Sequence, residues 1–113
     1  MERQRVFVQV VGFTDVERHA LNTVFRLSEY RDLTYSPWID GVPGMSAAPE
    51  ILLIDGESAE AVLAHVRELP VGQRLIWVGA GAPDHAWRVL PRPIQWATLL
   101  ADLDAVFAAQ LDD

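Results

Sequence analysis

Residues 49–58 read Pro-Glu-Ile-Leu-Leu-Ile-Asp-Gly-Glu-Ser. The apolar run from Ile51 to Ile54 is too short for a helix and is bounded by turn formers. Such a run suits a strand buried on both faces, as in a parallel sheet covered by helices. It stops at Asp55-Gly56. Helical spacing follows at once, with Ala59, Val62, Leu63, Val66 and Leu69 on one stripe before Pro70 and Gly72. A carboxylate at the carboxyl end of a central parallel strand stands where open α/β folds bind their ligands.

The same alternation extends to both sides. Val6 to Val11 is a β-branched, aromatic strand pattern ended by Gly12-Phe13. Thr14 with Glu17 forms a capping box. Over residues 15–29, Val16, Ala20, Leu21, Val24, Phe25 and Leu27 occupy one half of a helical wheel. Residues 33–38 form a short strand ended by Pro37, and residues 39–49 a loop with at most one helical turn. Arg74 to Val78 is a further buried strand. Residues 83–90 leave room for about two turns of helix and a short edge strand at Val89-Leu90. A last helix is expected from Pro93 to about residue 110, fraying at Asp112-Asp113. The order predicts one domain over residues 1–113: a three-layer α/β/α sandwich around a five-stranded parallel sheet.

Composition narrows the function. The formal charge is -7 and every cation among the 9 Lys+Arg is Arg, which argues against nucleic-acid or anionic-membrane surfaces. The absence of cysteine excludes disulfides, thiolate metal sites and Cys nucleophiles, and suits a reducing cytoplasm. No apolar run reaches the roughly 20 residues that span a bilayer. His19, His65 and His85 are far apart and follow no metal-ligand spacing, so neither metal nor cofactor is expected. Gly79-Ala80-Gly81 lacks the ending of a nucleotide loop and reads as a strand-to-helix turn. No nucleophile elbow supports hydrolase chemistry, and no enzyme is expected.

With these elements in hand, the chain resembles the receiver domain of bacterial two-component response regulators. Ile-Leu-Leu-Ile-Asp-Gly at 51–56 is similar to the family's third strand, which ends in the phosphoacceptor aspartate. Val-Leu-Pro-Arg-Pro-Ile at 89–94 is similar to its fifth strand and Lys-Pro turn, and Leu99-Leu100 with Leu103 to its last helix. The resemblance implies a flavodoxin-like fold, strand order 2-1-3-4-5, here with shortened second and fourth helices.

It also implies lost chemistry. The family closes its first strand with an acidic pair that holds Mg²⁺; Gly12 and Phe13 stand there. Its fourth strand ends in a hydroxyl residue; Gly79 stands there, followed by Ala80. Its Lys is matched by Arg92. Phosphoryl transfer depends on metal and cationic stabilisation of the equatorial oxygens. The expectation is therefore a degenerate receiver with Asp55 as an inactive acceptor equivalent, paired with Arg92 or serving as a turn residue. It would act without phosphorylation, in protein interaction or as a homodimer, as the regulatory domain of a longer regulator. Two alternatives remain: a small-molecule sensor with a pocket lined by Phe13, Trp38, Trp87, Arg92 and Gly79–Gly81, or a conventional receiver phosphorylated at Asp55. Trp38 and Trp87 beside loops, and Trp96 on the last helix, are the interface candidates.

Overall fold

Strand β3 (Ile51–Asp55) is buried at every position. Its side chains alternate between two cores. Ile51 and Leu53 join one cluster and Leu52 and Ile54 the other. The next strand, β4 (Arg74–Val78), divides in the same way, with Ile76 and Val78 on one side and Leu75 and Trp77 on the other. Successive strand side chains point to opposite faces, so an unbroken apolar run demands cover on both. Each fully buried Leu or Ile contributes about 1.5–3 kcal/mol by leaving water.

The computed structural model describes residues 4–39, 42–43, 49–60, 62–63, 74–84 and 86–108. Around the central strands lie β1 (Gln4–Val11), β2 (Leu33–Pro37) and β5 (Arg88–Leu90). All pairings are parallel and the order is β2-β1-β3-β4-β5. Helix α1 (Asp15–Ser28) and helix α2 (Leu99–Ala108) cover the larger core. On the opposite face, residues 59, 60, 62 and 63 are helical, and Val62 packs against the Trp77 cluster. The rest of the helix expected to follow Asp55, most of the loop at 39–49 and the terminal Asp112-Asp113 lie outside the described residues.

The structure departs from the sequence reading in three places. No helix forms among the described residues of 83–87, where a turn closes with Ala86 N–H donating to Pro83 O. Trp87 N–H is already bonded to Leu75 O and β5 begins at Arg88, so too few residues remain for two helical turns. The last helix starts later than Pro93. Ile94 is drawn into the core, Gln95 is extended, and a 3₁₀ turn at Trp96–Thr98 leads into α2. On α1, Leu21, Val24 and Phe25 are buried, but Val16 and Leu27 are 81% and 59% exposed. The apolar half of that helix is wider than the sheet face it covers.

Candidate functional site

Three loops meet at the carboxyl ends of β1, β3 and β5. The first strand ends at Gly12, whose φ of 92° lies in the region that favours glycine, and the chain turns into Phe13. Phe13 is 5% exposed and belongs to the core, so it offers a hydrophobic plug where the receiver family places a carboxylate. The fourth strand ends at Gly79, with φ of 105°, and Gly79 N–H donates to Leu90 O. Gly79 and Ala80 themselves carry no hydroxyl.

Asp55 is buried, at 5% exposure. Its Oδ1 accepts the backbone N–H of Glu57 at 3.0 Å, an Asx turn that fixes the chain beyond β3. The same oxygen accepts Arg92 Nη2 at 2.6 Å. Arg92 Nη1 donates to Glu17 Oε2. Its Nε faces Glu57 Oε2 as a further ion pair, off the N–H direction that a hydrogen bond requires. One guanidinium therefore meets carboxylates from the start of α1, the end of β3 and the turn after it. Hydrogen bonding to Glu17, joined by Asp55, pushes the Arg92 pKa above its ordinary value and fixes the positive charge.

Glu17 serves two partners. Its Oε1 receives the Thr14 backbone and hydroxyl groups of the capping box, leaving Oε2 for Arg92. Gly56, beside Asp55, is held by a close approach: a Cβ there would fall 2.2 Å from Trp77 Nε1. That indole donates to Ala80 O at 3.0 Å, and Gly56 N–H donates to Val78 O at 2.8 Å, joining the β3 and β4 exits.

The guanidinium of Arg92 sits against the carboxylate that a divalent cation would need. Mg²⁺ requires a near-octahedral shell of oxygens, and Asp55 Oδ1 is already bonded to a guanidinium and a backbone N–H. Asp15 is exposed at the first position of α1. Among the described residues, no group of three or more His, Cys, Asp or Glu side chains is placed to hold a metal ion. His65 and His85 lie outside the described residues. An open depression of about 400 Å³ is lined by Glu57, Gly79, Ala80, Val89, Pro91 and Arg92.

The aromatic pocket expected for a small-molecule sensor does not assemble. Phe13 is in the core. Trp87 lies at the amino end of the sheet, bonded through its N–H to Leu75 O, with the Arg74 guanidinium 5.6 Å from its ring centroid. Trp38 follows β2 at the carboxyl end and is half-buried, its N–H donating to Val8 O. Trp96 packs against the core from the 3₁₀ turn. Of the three interface candidates, Trp87 is the exposed one, at 45%. Sequence reasoning missed Glu17 and Glu57 as members of the site. The signal for Glu57 was its place two residues after Asp55, the span of an Asx turn.

No family model matches the chain, and no curated protein matches it. A solved structure from Burkholderia pseudomallei K96243, provisionally described as a pilus assembly-related protein, is similar over 91% of this chain and 90% of its own. Its TM-score is 0.56 at 16% sequence identity. The fold is flavodoxin-like. At that identity the likeness concerns fold alone, and it agrees with the strand order 2-1-3-4-5 found here. No helix among the described residues is long and apolar enough to cross a membrane.

Proposed function

We propose that this chain is a degenerate receiver domain, a phosphorylation-independent module that binds other proteins or a second copy of itself in cytoplasmic signalling. One observation carries the reading: the acceptor-equivalent Asp55 is bonded to Arg92, which also pairs with Glu17 and Glu57. Phosphoryl transfer relies on a metal and a cation set on the oxygens of the transferred group. Here the cation is engaged in the resting protein. The solved neighbour is described as pilus assembly-related. Such machinery is therefore the first place to seek a partner, with this chain as the regulatory domain of a longer regulator.

The test is phosphotransfer. The protein is incubated with Mg²⁺ and acetyl phosphate, and its intact mass is compared with that of Asp55→Asn. Both proteins should keep their mass unchanged. A phosphoryl adduct on the wild type that vanishes in Asp55→Asn would restore the conventional receiver reading.

A further inference from the structure

Helix α1 carries more apolar surface than the sheet covers. Its buried positions are Leu21, Val24, Phe25 and Ser28. Val16, Ala20, Thr23 and Leu27 form a second stripe, spaced four, three and four residues apart. At 3.6 residues per turn these four fall within about 60° of one another, on the flank of the buried face, with Ala20 at its border. Val16 and Leu27 are 81% and 59% exposed, Thr23 is exposed and Ala20 is half-buried. Tyr30, just past the helix, extends the line and is 86% exposed. Alternating spacings of three and four are those of a two-helix seam.

We propose that this seam is a self-association surface, on which a second copy of the chain lays its own α1 antiparallel. The proposal rests on the reading of this domain as an interaction module and names the face and the partner. Charge complementarity selects the occupant. The first turn of α1 is acidic, with Asp15 and Glu17, and the last turn is basic, with Arg26. Asp15 and Arg26 are both exposed and lie on the same flank of the seam. Antiparallel pairing sets Val16 opposite Leu27 of the second copy and Ala20 opposite Thr23 of the second copy. In that register Asp15 comes within about one helical turn of the second copy's Arg26. The small pair Ala20 and Thr23 forms the middle layers and lets the axes close to the usual 8–10 Å, about the distance of packed helices. Opposed macrodipoles add to the preference. Two helices of 14 residues cover far less than a standard interface of about 1,600 Å². The association is accordingly reversible and concentration-dependent.

Sedimentation velocity across a concentration series tests the proposal. Wild type should move from monomer toward dimer. Leu27→Glu should weaken self-association at least about tenfold, because a buried Leu is lost from each copy. Circular dichroism confirms that this exposed substitution leaves the fold intact. Arg26→Asp should also weaken it, and the exchange Asp15→Arg with Arg26→Asp should recover it relative to Arg26→Asp alone. Val89→Glu, on the β5 edge, should leave the dimer intact. A wild type that stays monomeric, or a dimer that survives Leu27→Glu or dissolves with Val89→Glu, overturns the α1 seam. None of those results alters the phosphotransfer outcome, so the site reading stands or falls separately.

Discussion

The two ends of the sheet each hold an arginine, and they hold it differently. At the carboxyl end, Arg92 meets three carboxylates, from Glu17, Asp55 and Glu57. At the amino end, Arg74 is 5% exposed and lies 5.6 Å and 5.4 Å from the ring centroids of Trp87 and Phe107. Arg74 Nη1 reaches Glu50 O at 3.3 Å. Burial pulls the Arg74 pKa down, only partly offset by Glu50, whereas hydrogen bonding pushes that of Arg92 up. One cation is a hub of electrostatic compensation. The other is largely a packing element, using its flat face on aromatic rings. Removing the charge should therefore cost much more at the carboxyl end than at the amino end.

The largest effect is expected at Arg92. Arg92→Met leaves three neighbouring carboxylates without their shared cation. Breaking a buried pair costs roughly 3–5 kcal/mol, and the exposure of Glu57 lowers the expectation to about 2–3 kcal/mol. Urea denaturation reads this directly. Arg92→Lys should recover part of the loss, since an ammonium keeps the charge but not the fork that spans Glu17 and Asp55. A fully stable Arg92→Met would mean that the three loops are held by something else.

Gly56→Ala comes next. Its Cβ would collide with the Trp77 indole, and overpacking of this kind costs about 1–3 kcal/mol. Tryptophan fluorescence during thermal unfolding would report both the lower midpoint and the displaced ring. An unshifted midpoint would show that the exit of β3 is not rigid, weakening the account of how Asp55 is aimed at Arg92.

At the amino end, Arg74→Met should change stability by less than about 1 kcal/mol, because an apolar side chain of similar length suits a site that desolvates the charge. A loss equal to that of Arg92→Met would erase the contrast between the two arginines.

An effect of similar small size concerns Tyr35, whose buried hydroxyl donates to Asp104 Oδ1 at 2.7 Å. Burial, aided by that hydrogen bond, raises its pKa above the ordinary value of 10. The folded protein thus holds this proton more tightly than the unfolded chain. The resulting stability is present below pH 10 and declines as pH rises past that value. Tyr35→Phe should cost about 1 kcal/mol at neutral pH and flatten the alkaline decline in a pH series of melts. An equal decline in both proteins would remove Tyr35 as its source.

Much of this was legible in the sequence where one physical demand dominates. Ile51–Ile54 and Leu75–Val78 admit few readings other than doubly covered strands. The Asp55–Arg92 pair followed from their places at two strand ends. Glu17 stayed hidden because the capping box already accounts for it locally, and only folding shows that its second oxygen is spare. Arg74 opens a strand and gives no sign in one dimension of the rings that will enclose it. The outer stripe of α1 was masked by its own composition. Val16 and Leu27 read as core because the sequence gives the width of an apolar face but not the width of the surface that covers it.

The central claim is that Asp55, paired with Arg92 beside Glu17 and Glu57, takes up no divalent ion. A titration with Mn²⁺, followed by amide relaxation at Gly12, Asp55, Gly56 and Gly79, tests this most directly. The account predicts no selective broadening of these four resonances into the millimolar range, in contrast to general effects on exposed carboxylates. Saturable broadening centred on Asp55 would contradict it.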